Sequence, residues 1–524
     1  MSPDARWTRP LTVDEAGTPE LLGAKAHGLV GLLRLGLPVP AAFVVTTEAC
    51  RVFLASGAFP AGLDAELDTA LARLESVTGR TFGGSGRGLT VSARSERELP
   101  GPANSGRDLP GSVRSEWDLP GSLRSEWDLP GSLRSKRDLP GSLRSERDLP
   151  GSLRSERGLT VSVRSGASVS MPGMMDTVLG LGTGADPRAE LRAAIRAVFT
   201  SWHAPRARTY RTLHGVPHDL GTAVVVQVMV DGDRDGHSGA GVAFGRDPNS
   251  GAPGPYGEVL FERRGDAVVS GGSDTLPLND LALREPGVWT DLTRALTLIE
   301  GDLRDAPYAE FTFESGRLWL LQARPGRFTG AAAVRVAVDL VEEGALTREE
   351  ALLRVAPAHL ERVRTPRVVL APGVEPLARG IGAVPGVVTG RAATTCAAAV
   401  RMAAEGPVVL VRPETSPMDM SGLAAAAGVI TERGGPVSHA AVVARPLGRP
   451  AVVGVGAHTL TDGDVVTVDG TAGLVVAGRP EVTTEATLPH LRRLLTWADE
   501  ISGEGPDLPE VERLRAAHRF LERP

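Results

Sequence analysis

Apolar residues recur at helical spacing from Leu21 to Leu37 (LLGAKAHGLVGLLRLGL), which predicts an amphipathic helix opening after a glycine turn. The next stretch, PVPAAFVVTTEAC, reads as a buried strand with Thr46 or Thr47 capping the following helix. Thr222 to Val230 and Gly239 to Phe244 read as two strands paired around the turn DGDRDGHSG, and RDPNSG marks another turn. From Ala309 to Arg327 the chain alternates on both sides of Glu-Ser-Gly-Arg at 314–317, which predicts a hairpin bringing Glu310, Gln322 and Arg324 near one another. Gly330 to about Pro376 reads as a helical linker in which Thr347 caps a helix carrying Glu350 three residues on. Four short apolar stretches follow, GIGAVPGVVTGRAA, VVLVRPETSPMDM, AAAGVITERGG and DGDVVTVDGTAGLV, and predict a compact domain of strands with His439 on its central helix. From Thr483 the tail reads as helical.

Between Leu89 and about Gly158 this patterning gives way to a period of ten, LPGSLRSERD and variants. LTVSARS at Leu89 returns as LTVSVRS at Leu159, an offset of 70 residues that an in-frame expansion inside one strand and loop explains. Each unit combines a Leu-Pro-Gly turn with mixed charges and little apolar content, so the expectation is a solvated loop or disordered excursion. Solenoid repeats generally need about 20 residues or more per unit.

Length and composition narrow the class. With 524 residues there is room for two to four domains, and 42% hydrophobic content is that of a soluble globular protein. A net charge of -6 exerts no general pull toward nucleic acid or anionic membrane, and the apolar runs are strand-length. MSPDARWTRP holds no apolar signal region, and two cysteines, Cys50 and Cys396, make no disulfide framework, so a cytoplasmic protein is expected. Among 57 basic residues only Lys25 and Lys136 are lysines, and Lys136 lies in the repeat. Where arginine is the default, the surviving Lys25 points to a site needing a compact point charge, such as a nucleotide phosphate.

The stretch most suggestive of chemistry is Thr431 to Gly454, TERGGPVSHAAVVARPLGRPAVVG. It sets His439 at a helix start, with Ser438 able to cap the first turn and Gly434 and Gly435 allowing close backbone approach, an arrangement suited to an anion. A neutral imidazole there is a competent nucleophile. Upstream, Gly166, Ala167, Ser168 and Ser170 suit a loop folding its N–H groups over phosphates, Met171, Met174 and Met175 suit packing, and Asp176 could cap a following helix.

GGPVSHAAVVARPLGRPAVVG resembles the phosphohistidine motif of the pyruvate phosphate dikinase and phosphoenolpyruvate synthase family, with Val437-Ser438-His439 where Thr-Ser-His is usual. SVRSGASVSMPGMMDTVLGLG, from Ser162 to Gly182, resembles that family's nucleotide-domain motif, and ETSPMD matches a second segment of its phosphohistidine domain. LGAKAHGL is similar to its Leu-Gly-Gly-Lys-Gly segment, with Ala24 and Ala26 in place of the flanking glycines. The resemblance implies an α/β and α+β multidomain chain. Residues 1–330 would form an ATP-grasp-like nucleotide-binding domain with 89–158 as an insertion, 331–376 a helical linker, 377–482 a phosphohistidine swivelling domain, and 483–524 a helical tail leading toward a barrel that this chain lacks.

What the resemblance implies for chemistry is equally specific. ATP would be the substrate, with Lys25, Arg164, Glu258, Glu310, Gln322 and Arg324 binding it, Glu310 and Gln322 holding magnesium, and His439 with Arg164 as the catalytic pair. Arg164 takes this role over Arg94 because only the second repeat copy continues into GASVSMPGMMDT. The departures are Tyr308 at the family's aspartate, Asp266 for a glutamate, Ser273 for an arginine, and a short path after Gly182 where the family has a helical subdomain. The implied function is an ATP-dependent phosphotransferase module that charges His439 and passes the phosphate to a separate phosphoenolpyruvate/pyruvate-binding barrel protein or another acceptor. A catalytically impaired nucleotide-binding or regulatory remnant and an antibiotic-type phosphotransferase are the alternatives.

Overall fold

The computed structural model describes residues 6–83, 158–169, 171, 173–213, 215–264, 275–328, 330–484 and 488–523. The decapeptide run at 89–157, Ser170, Asp266 and Ser273 lie outside them.

The first sheet has strands β1 (Thr8–Pro10), β2 (Ala42–Val45), β3 (Val161–Gly166), β4 (Thr177–Leu181) and β5 (Ala223–Val228) in the antiparallel order β1-β2-β5-β3-β4. Its central strand β5 is apolar apart from Gln227, whose buried amide donates to Pro40 O at 3.3 Å, because both faces are covered. Val224 and Val226 join the cluster under helices Leu63–Thr78 and Pro187–Ser201, while Ala223 and Val225 join the one under helix Pro19–Arg34. Thr46 caps helix Thr47–Ser56 through its side chain. The predicted helix over Leu21–Leu37 is in fact two pieces: Pro19–Arg34 breaks at Gly23, whose φ of 76° is open to glycine. Asp176 caps no helix, since strand β4 follows it, and it pairs with Arg206.

The second sheet has β6 (Gly239–Arg246), β7 (Pro253–Phe261), β8 (Leu276–Pro277), β9 (Pro307–Glu314) and β10 (Arg317–Pro325) in the order β10-β9-β6-β7-β8. The expected pairing of the Thr222 and Gly239 strands is therefore corrected. The edges of β5 are taken by β2 and β3, those of β6 by β7 and β9, and DGDRDGHSG is a crossover between sheets. Phe311, Phe313, Leu318 and Leu320 face one way, into a cluster with helix Pro286–Leu303. The other face carries a row in register, Glu258 on β7, Val242 on β6, Glu310 on β9 and Gln322 on β10, polar at every position but Val242. Gln322 reaches that face through a bulge between Leu320 and Gln322, which shifts the alternation by one residue.

The expected linker is helical only in part. Helices Gly330–Glu342, Arg348–Arg354 and Pro357–Glu361 pack with Pro489–Ser502 and Glu510–Leu521 around Leu340, Leu352, Leu494, Trp497 and Leu514, and Thr347 and Glu350 form a full capping box. Its last residues make β11 (Pro366–Val369). An eight-stranded sheet follows, from β12 (Ala378–Arg379), β13 (Ile381–Val384), β14 (Val387–Ala393), β15 (Val408–Arg412), β16 (Gly428–Thr431), β17 (Ala451–Val453), β18 (Val465–Asp469) and β19 (Leu474–Ala477). Its order is β12-β19-β18-β14-β15-β16-β17-β13. Strand β20 (Glu481–Thr484) then pairs with β11, so the tail turns helical at Pro489 and not at Thr483.

Strands β14 to β17 run parallel, and helices Cys396–Ala403, Met420–Ala425 and His439–Leu447 make the crossovers. The loops holding Thr415 and His439 thus lie beyond the carboxyl ends of β15 and β16, the end of a parallel sheet where ligands bind. No helix among the described residues is long and apolar enough to cross a membrane.

Candidate active site

Lys25, Arg164, Glu310, Gln322 and Arg324 come together between the first two sheets. The break at Gly23 turns the helix so that Ala24 N–H donates to Ala167 O at 2.9 Å, and a β-carbon on Gly23 would lie 1.6 Å from Gly166 O. This close approach places Lys25 against β3, where a β-carbon on Gly166 would lie 3.4 Å from Lys25 Cβ. Arg164 reaches from β3 to donate to the Glu310 carboxylate and, at 3.2 Å, to the carbonyl of the bulged Leu321. Burial and the Arg164 guanidinium push the Lys25 ammonium down to about 7, against the pull of Glu310. Burial pushes Glu310 up, but Arg164 and Lys25 more than reverse it and hold its carboxyl below the usual range. Gln322 lies directly opposite Glu310, and Arg324 opposite Tyr308 with its guanidinium 4.1 Å over the ring.

Glu258 stands apart. It is two strands from Glu310, about 10 Å across the sheet, and its partners lie elsewhere. One carboxylate oxygen accepts from Thr275 Oγ1 at 2.7 Å and the other from Val437 N–H at 3.1 Å, so this side chain grips the histidine loop. Burial pushes its pKa up despite both bonds.

His439 opens helix His439–Leu447. Its Nδ1 lies 3.2 Å from Thr415 Oγ1, and its Nε2 is buried without a hydrogen-bond partner among the described residues. Gly173 of the methionine loop lies against the ring, since a β-carbon there would be 3.4 Å from Nε2. Burial pushes the imidazole down to about 4, against the pull of Asp419, so the ring is neutral at pH 7. The expected cap from Ser438 is not made: its hydroxyl is buried without a partner among the described residues, and Val442 N–H is met by its main-chain carbonyl. Met171, Met174 and Met175 share a cluster with Met420, Ala440 and Ala441, the packing role read for them.

Several participants were not singled out from the sequence. Thr415 lies in the ETSPMD segment, but its bond to His439 spans 24 residues. Asp419 forms a capping box with Ser416, accepts from Cys396 Sγ at 3.0 Å and pairs with Arg412 at 3.2 Å. Arg445, buried among apolar residues, donates to Ala383 O at 2.9 Å and Pro436 O at 3.1 Å and so anchors the loop from inside. The one cue was its position on the apolar side of a nine-residue helix.

A divalent cation expected here would meet a sparse donor set. Glu310 is the one carboxylate of the cluster and is taken by Arg164, Tyr308 is a buried neutral phenol, and the described residues hold no group of three or more His, Cys, Asp or Glu placed to hold a metal ion. Glu310 and Gln322 offer one carboxylate, already bound by Arg164, and one amide, which is a poor donor set for a divalent cation that takes one or two carboxylates beside phosphate oxygens.

Two stretches of the chain match known protein families. Residues 137–276 match the AMP/ATP-binding domain of pyruvate phosphate dikinase, and residues 404–473 the mobile domain of PEP-utilising enzymes. The pyruvate, phosphate dikinase of Rhizobium meliloti (strain 1021) is 36% identical over 94% of this chain and 60% of its own length. That of Clostridium symbiosum is 33% identical over 95% and 60%, and the chloroplastic enzyme 1 of Zea mays 33% over 92% and 54%. The chain thus spans about 60% of the length of the first two of these relatives. Over nearly its whole length it is similar to part of the pyruvate, phosphate dikinases, carrying a stretch that matches their AMP/ATP-binding domain and then one that matches the mobile domain of PEP-utilising enzymes.

Proposed function

We propose that this chain is an ATP-dependent phosphotransferase module, cytoplasmic, in which an ATP-grasp-like nucleotide domain charges His439 on a mobile domain. The observation carrying this reading is the buried Nε2 of His439 beside Gly173, without a hydrogen-bond partner among the described residues, while Thr415 engages Nδ1. With the proton on Nδ1 and donated to Thr415, Nε2 keeps its lone pair. That pair attacks a phosphorus of ATP in line, an N–P bond forms, and the P–O bond to the departing nucleotide breaks with its electrons on the nucleotide oxygen. Lys25, Arg164 and Arg324 neutralise charge on the phosphates, and Glu310 sets the position of Arg164. Glu258 holds the histidine loop in the docked arrangement. A separate phosphoenolpyruvate/pyruvate-binding barrel protein, or another acceptor, then takes the phosphate.

The test is intact mass after incubation with magnesium and ATP. A gain of one phosphoryl or pyrophosphoryl group, absent from His439→Ala, is expected. A second reading, a nucleotide-binding remnant, is favoured by Tyr308 and by the carboxylate already engaged by Arg164. It predicts bound nucleotide with no mass gain.

A further inference from the structure

The polar face of the second sheet offers a nucleotide more cations than a metal would tolerate. Lys25, Arg164 and Arg324 converge on the single carboxylate of Glu310, leaving the cluster net positive. The pair formed by Arg164 and Glu310 is only 14% and 23% exposed, so its charges are poorly screened by water. A divalent cation entering here would meet repulsion from Lys25, Arg164 and Arg324 and would have to share the carboxylate with Arg164, which already holds its Oε2. Beside it, Tyr308 is 4% exposed, with Arg324 4.1 Å over one side and the Phe244 ring centroid 5.1 Å away. Its phenol is neutral and walled in, so the position supplies no anionic oxygen. An anion carrying several charges, by contrast, would find three donors whose positive charge only one carboxylate offsets.

We infer that this site takes a nucleoside di- or triphosphate free of divalent cation, with Tyr308 and the Arg164–Glu310 pair occupying the place where a metal would sit. The inference rests on the nucleotide reading above and sharpens it. Glu310 is then a positioning residue that orients Arg164, and Tyr308 a platform that keeps Arg324 flat against the sheet.

Calorimetric titration of the full chain with ADP and with ATP, once in EDTA and once in excess magnesium, tests this. The expected result is binding in EDTA that is as tight as in magnesium or tighter. Weakening by about threefold or more in EDTA would overturn the inference, because a metal-bridged site loses its main phosphate contact without the ion. Glu310→Gln separates the roles further while keeping side-chain shape. It should bind free ADP at least as tightly as the parent, since a negative charge is removed, whereas a selective loss of magnesium-ADP affinity would identify a metal ligand and overturn the proposal. Tyr308→Asp should introduce magnesium dependence of about tenfold, and Tyr308→Phe should not; a Tyr308→Asp chain indifferent to magnesium overturns the assignment of Tyr308. Binding only with magnesium defeats this inference and leaves the phosphotransferase reading standing. Absence of nucleotide binding in both buffers defeats the two together.

Discussion

A β-carbon added to Gly435 would lie 1.4 Å from Glu258 Oε1, which leaves the loop and the carboxylate no independent freedom. Gly435→Ala should therefore lower the melting temperature and break the Val437 contact, while Glu258→Ala added to it should recover part of the loss. A double-mutant cycle should show coupling of about 1–3 kcal/mol, and strict additivity would show that the contact is not made in solution. His439 gives a pH signature whose sign follows from its burial. Its pKa is about 4 folded and 6.5 unfolded, so between these values only the unfolded chain binds the proton, and stability falls as pH drops through that window. Melting curves across pH 4 to 7 should lose part of this slope in His439→Gln; an unchanged slope would mean that the ring is solvated. The motif made His439 legible. Its partner Thr415 was not, nor was the hold of Glu258 on a main-chain N–H 179 residues away, because main-chain donors leave no trace in residue identity.

At the level of elements, alternation was the reliable guide. The hairpin of β9 and β10 followed it closely, and even the cross-strand pair of Glu310 and Gln322 was foreseeable, although the bulge that makes the pair was not. Alternation failed for β5 and β6. Strands covered on both faces do not alternate, and a polar turn joins two sheets as readily as two neighbours. The helix break at Gly23 was hidden because apolar spacing continues across it. Arg246 ties the elements around the second sheet together. At 2% exposed, it donates to Glu300 at 2.8 and 3.2 Å and to Glu343 at 2.6 Å, joining β6 to helix Pro286–Leu303 and to the end of helix Gly330–Glu342. Arg246→Ala strands Glu300 and should cost about 3–5 kcal/mol in denaturant unfolding, since breaking a buried pair costs more than never having made it.

For the molecule as a whole, the described residues on either side of the decapeptide run meet one another. Phe82 and Leu159 form a bridge, and Leu159 N–H donates to Thr81 O at 2.9 Å, so the chain returns to the point it left. Deleting Leu89 to Gly158 leaves six residues between Phe82 and Leu159 in place of 76. The shorter closure should raise stability by about 2 kcal/mol at most, and a melting temperature unchanged or slightly higher is expected. Loss of soluble protein on deletion would mean that the run packs against the rest. The same bridge bears on inheritance. Because closure cost grows only with the logarithm of length, gaining or losing one unit in frame changes it by about 0.1 kcal/mol, too little for selection on folding to act upon. Copy number should therefore drift as a neutral trait, and chains from closely related strains should differ in length here in steps of ten residues, while the spacing from Leu159 to His439 stays constant.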